Sequence, residues 1–80
     1  MNRKAKLIAE LLAFPTSMDF SDVQRVLEQH GFELRKVSGS HAIFTDGHLT
    51  LSIPTISGRV VKRTYLIQIA QALGLGGENE

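Results

Sequence analysis

Val37-Ser38-Gly39-Ser40-His41-Ala42-Ile43-Phe44 decides the fold, because an extended run breaks there and then resumes. Glycine permits a sharp reversal of the backbone, and a serine on either side keeps the turn polar and uncrowded. His41 opens the resumed strand. It stands at the mouth of the turn, where a titratable ring can reach a ligand.

Outward from this turn the period stays at two. Phe32-Glu33-Leu34-Arg35-Lys36-Val37 reads as the first strand and His41-Ala42-Ile43-Phe44-Thr45 as the second. Asp46-Gly47 is a strong hairpin signal. His48-Leu49-Thr50-Leu51-Ser52-Ile53 is then a third strand, predicted to turn Leu49, Leu51 and Ile53 inward and His48, Thr50 and Ser52 outward. Pro54 ends it, since proline cannot continue a ladder.

Helical spacing flanks the strands. Ser21-Asp22-Val23-Gln24 has capping-box spacing, which predicts a helix starting at Ser21. Val23, Val26, Leu27 and His30 share one face of it, and Gly31 reads as its C-cap. Thr55-Ile56-Ser57-Gly58-Arg59-Val60-Val61 reads as a loop. The last helix runs from about Lys62 to Leu73, with Leu66, Ile69, Ala70 and Leu73 on its buried stripe and Gly74 as cap. Near the start, Lys4 to Phe14 reads as a further helix carrying Leu7, Ile8, Leu11 and Leu12 on one face. Pro15 ends it, and 15–19 is a short linker. A helix this short is not stable alone in water, so its stripe packs on the domain itself or on a partner chain.

The order is an extra helix followed by α-β-β-β-α. It predicts an α+β domain with a three-stranded antiparallel sheet, two helices on one face and the other face wet. This is the architecture of double-stranded-RNA-binding domains. The organisation follows as an N-terminal helical extension and linker at 1–16, the domain at 17–75 and a flexible tail at 76–80.

Eighty residues, 42% of them apolar, make one small globular domain. The absence of cysteine excludes a disulfide framework, a thiolate zinc site and a cysteine nucleophile. No run is long enough to span a bilayer, and Glu10 interrupts the one short apolar run near the start. The chain reads as soluble and cytoplasmic, with no membrane partner. The net charge of +1 hides an uneven distribution. Between 35 and 65 stand Arg35, Lys36, Arg59, Lys62 and Arg63, against Asp46 as the one acid. Such a stripe reads either as a phosphate-binding footprint or as a solvated charged face.

RNA carries its own nucleophile, the 2′-hydroxyl, so its cleavage needs a base to take that proton and an acid for the leaving 5′-oxygen. One well-placed imidazole supplies ~10²–10⁴-fold by such proton transfer. His41 is the candidate, with a surface histidine at a turn as the plain alternative. His48 is a possible second acid/base, and His30 reads as core packing or helix capping. The three histidines lack zinc-ligand spacing and no carboxylate is paired with them as a ligand set, so neither metal nor cofactor is predicted. Lys62-Arg63-Thr64 opens the last helix. It reads either as an anion site or as two cations that merely flank a helix.

With these pieces in order, the chain resembles the HicA family of bacterial toxins from about Phe20 to Leu75. The resemblance rests on several short pieces in sequence: His30-Gly31-Phe32-Glu33-Leu34, Gly39-Ser40-His41 opening the second strand, and Ile53-Pro54. It closes with Val61-Lys62-Arg63 before a helix ending Ala72-Leu73-Gly74-Leu75. The resemblance implies an mRNA interferase neutralised by a HicB antitoxin, with His41 as its catalytic residue on the Gly39-Ser40 turn. It implies mRNA and a HicB-like protein as partners. Lys36, Lys62 and Arg63 would then neutralise phosphate. The chain departs from the family's usual pattern in residues 1–16, in Ala42 after the histidine, and in Thr55 where a histidine often follows the proline. A non-catalytic RNA-binding module and a protein-interaction domain built on the first helix are the alternative readings.

Overall fold

The computed structural model describes residues 3–75, so the tail expected at 76–80 lies outside the described residues. Eight elements follow one another: α1 (Arg3–Leu12), β1 (Ser17–Asp19), α2 (Phe20–Gln29), β2 (Glu33–Ser38), β3 (His41–Thr45), β4 (Thr50–Pro54), β5 (Val60–Lys62) and α3 (Arg63–Ala72). β2, β3 and β4 form an antiparallel meander in that spatial order, as the alternation and the two turns require. The result is the α+β, double-stranded-RNA-binding-like architecture expected from the sequence.

Residues opposite one another across antiparallel strands share a face. The register therefore sorts the sheet into rows. Val37, Ala42 and Ile53 form one inner row, and Leu34, Phe44 and Leu51 form another. Ala42, Phe44, Leu51 and Ile53 are buried there against Val23, Val26 and Leu27 of α2 and Leu66, Ile69 and Ala70 of α3. Phe20 of α2 meets Phe44 with ring centroids 6.0 Å apart and planes tilted by 47°, a favourable aromatic geometry.

α1 is no appendage. Leu7 and Leu11 lie in the same core, and the helix packs on both α2 and α3. This settles where its apolar stripe goes: onto the domain itself. Phe14, just before Pro15, has a left-handed φ of 49°, and the proline that follows disfavours any right-handed continuation of α1 there.

Two segments differ from the sequence reading. The expected linker and the end of the expected loop pair as a two-stranded ribbon, with Ser17 opposite Lys62, Met18 opposite Val61 and Asp19 opposite Val60. The remaining residues make a tight hairpin in which Ile56 pairs with Val60 around Ser57 (φ 55°) and Gly58 (φ 69°). The ribbon also moves the start of α2. Asp19 ends a strand, and the Phe20 N–H donates to the Arg59 carbonyl at 2.7 Å, so the helix begins at Phe20 with no side-chain cap. Ser21 is already helical, and the capping box does not form.

At its other end α2 closes as predicted. Gly31 at φ 88° lets its own N–H reach the Glu28 carbonyl and that of Phe32 reach Leu27. Leu49, expected to point inward, is instead an exposed turn residue, since β4 starts only at Thr50.

Candidate functional site

The site is built on the hairpin between β2 and β3. Ser38 pairs with His41, leaving Gly39 and Ser40 as a two-residue turn. Gly39 has φ 61° while Ser40 does not have positive φ, which are the signs of a type II′ turn with glycine first. The reversal leaves His41 exposed at the head of β3, with its successor Ala42 buried. Alternation therefore sends the His41 ring to the open face of the sheet.

On that face His41 shares a row with Ser38 and with Pro54 of β4. Just past Pro54, Thr55 donates its backbone N–H to the Ser40 carbonyl at 2.7 Å and its hydroxyl to the same oxygen at 3.0 Å. The turn carrying His41 is thereby tied to the end of the neighbouring strand.

The next row on the open face is Lys36, Ile43 and Ser52. Lys36 thus lies one row from His41, about 7 Å along the strands by their rise per residue. On the other side, Pro54, Thr55, Ile56, Lys62 and Tyr65 line a groove of about 200 Å³. Lys62 precedes α3 and is exposed. Lys36 is thus one row from His41, and Lys62 lines the groove that begins at Pro54, the residue paired with His41.

Arg63, expected beside them, has a second task. Its Nε donates to the Phe14 carbonyl at 2.8 Å and its backbone N–H to the Thr16 carbonyl at 3.0 Å. It braces the end of α1 against the start of α3, which leaves the terminal guanidinium nitrogens as the groups able to meet a phosphate.

The remaining histidines lie elsewhere. His48 sits in the turn after β3, at the opposite end of the sheet from His41. β3 alone separates the two by about 13 Å, so one phosphodiester cannot be shared between them as acid and base. His30 follows α2, where its Nδ1–H donates to the Val26 carbonyl at 2.9 Å. This is the capping role its position suggested.

Asp46 accepts the N–H groups of His48 at 2.8 Å and Leu49 at 2.7 Å. Those two bonds, Leu49 first, hold its carboxyl below the ordinary range. Among the described residues, no group of three His, Asp or Glu side chains could hold a metal ion, and no helix is long and apolar enough to cross a membrane.

The family described as the HicA toxin of bacterial toxin–antitoxin systems matches residues 20–75, which span α2, the whole sheet and α3. The chain belongs to the HicA toxin family. No curated protein and no solved structure matches it at a significant level. The family match leaves out α1, although α1 supplies part of the core in this chain. Membership gives the chain a toxin's role within a toxin–antitoxin system. Tyr65 joins the site through the groove alone, and nothing about its position in the sequence signals a role.

Proposed function

We propose that this HicA-family toxin is a metal-independent mRNA endoribonuclease in which His41 transfers the proton. The observation that carries the reading is the placement of His41. It is exposed beside a pinned two-residue turn, with Lys36 one row away on the open face and Lys62 in the groove that begins at its strand partner Pro54.

The substrate brings its own nucleophile. His41 would take the proton from a 2′-hydroxyl, the 2′-oxygen would attack the adjacent phosphorus, and the bond to the 5′-oxygen would break. The products are a 2′,3′-cyclic phosphate and a 5′-hydroxyl once the leaving oxygen is protonated. Lys36, Lys62 and the free end of Arg63 would balance the charge that builds on the phosphoryl oxygens. His48 takes no part. In the cytoplasm, where its mRNA substrate is found, a HicB-like antitoxin would silence the toxin by keeping RNA from reaching His41.

The test is cleavage of a defined RNA in excess EDTA by wild type and by His41→Ala. Cleavage by wild type alone, with cyclic or 3′-phosphate ends, is the expected result. Equal cleavage by the variant, or cutting of RNA methylated at every 2′-oxygen, overturns it.

A further inference from the structure

We infer that the open face of the sheet is the track along which a single RNA strand runs away from His41, with Arg35 and Lys36 as its phosphate clamps. This rests on the ribonuclease reading and deepens it by naming the form of the substrate and its path.

The decisive feature is a β-bulge. Register along β2 jumps from Leu34 opposite Phe44 to Lys36 opposite Ile43, so Arg35 is an extra residue in the strand. In a regular strand two consecutive side chains point to opposite faces. The bulge cancels one step of that alternation. Leu34 and Val37 both keep to inner rows, while Arg35 and Lys36 together line a shallow depression of about 500 Å³ on the open face. Its floor is formed by Ile43, Thr45 and Thr50. Among the described residues neither cation forms an ion pair, the one bridge being Arg25 with Asp22 on α2.

Two unpaired cations brought to one face by a bulge complement a polyanion. The depression is continuous with the His41 row, because Ile43 and Lys36 form the very next row. The face is three strands wide, about 10 Å between its outer strands, which suits one extended strand laid along it. A protein partner would want an apolar centre. Here the floor offers only Ile43, while exposed Val37 belongs to the inner row and Leu49 and Ile56 lie outside the three strands.

The test measures binding of a short fluorescent single-stranded oligonucleotide, 2′-O-methylated throughout so that it is not cut, by anisotropy across a salt series. Each phosphate contact to a single strand contributes about −0.7 to the slope of log affinity against log salt. Replacing both residues, Arg35→Gln with Lys36→Gln, should therefore flatten the slope by about 1.4 and weaken low-salt binding about tenfold. Lys6→Gln, an exposed charge on α1 away from this face, should leave the slope unchanged.

Added oligonucleotide should also shift the amide resonances of Ile43 and Thr45. If wild type cleaves RNA and the double variant binds and cleaves identically, this track is overturned while the ribonuclease reading stands. Wild type that neither binds nor cleaves overturns both. A double variant that keeps RNA binding but loses an antitoxin protein assigns the face to protein, and overturns the track.

Discussion

Thr55 holds the carbonyl of Ser40 twice, by its backbone N–H at 2.7 Å and its hydroxyl at 3.0 Å, across fifteen positions of sequence. The backbone bond extends the sheet past Pro54. The hydroxyl bond is an addition of this particular side chain, and it bears on the residue that leads into His41.

Replacing Thr55 by valine keeps the shape and the N–H and removes the hydroxyl. Stability in urea should fall by about 0.5–1.5 kcal/mol, the net worth of one such bond. Cleavage at saturating RNA should slow a few-fold with little change in KM, because what is lost is the placement of the His41 ring. Thr55→Ser should restore both. A valine variant as fast as wild type would show that the hydroxyl only braces the turn.

Gly39 has open space where a Cβ would stand, yet its φ is 61°. Gly39→Ala should therefore cost about 1–2 kcal/mol from left-handed backbone alone. Gly39→Asn should cost less, since asparagine tolerates that region. Thermal unfolding of the two variants side by side separates backbone strain from packing.

Arg63 serves two roles that one substitution can split. Arg63→Lys keeps the charge but has no Nε to reach the Phe14 carbonyl. Urea unfolding should register a loss of about 1 kcal/mol, while the salt dependence of RNA binding stays close to wild type. Arg63→Gln should lose on both counts.

Leu11 is fully buried between helices. Leu11→Ala should cost ~2–5 kcal/mol, whereas its exposed neighbour Glu10→Ala should stay within about 0.5 kcal/mol. Removing α1 should unfold the domain, which circular dichroism would read directly.

Among the described residues, Asp46 gives the one acid dependence the structure supports. Its carboxyl lies lower in the folded state than in the unfolded chain, held down by the Leu49 and His48 amides. The stability it lends is therefore complete above the unfolded-state value and is lost as pH falls through the folded one. Asp46→Asn should lower the melting temperature at neutral pH, and the gap between variant and wild type should close in acid. A gap that persists below the carboxylate range would point to the turn geometry and away from the charge.

The meander was legible because its signals are local. Ser38 to His41 and Asp46-Gly47 fix two reversals, and the alternation of Leu51 and Ile53 fixes which way β4 faces. Gly31 marks the end of α2 for the same reason. The β1–β5 ribbon was not legible, since each strand has three residues and pairs with a segment far away in sequence. That one non-local pairing also displaced the start of α2 and turned the expected capping box into ordinary helix. The bulge at Arg35 left no mark either: strict alternation from Leu34 would have sent Lys36 into the core, and only the paired structure shows how the strand avoids this. Of the candidate site, only the exposed position of His41 beside its turn was legible. The clamp by Thr55 and the bracing role of Arg63 were not, because both depend on what the distant chain brings alongside.

Ser17–Asp19 leaves the ribosome roughly forty residues ahead of Val60–Lys62, the strand it pairs with. At ~5–20 residues per second the delay is about 2–8 s. The hairpin around His41 closes locally and needs none of that wait, since contacts close in sequence form first. For the last part of that delay, about 1–3 s between the release of Thr45 and that of Lys62, the nascent chain carries its histidine turn without Lys62, without the groove beside it and without the brace from Arg63 to α1. A HicA-family toxin assembled in this order acquires Lys62 and its groove last, so a half-made copy holds His41 but only part of the surface proposed to grip a message.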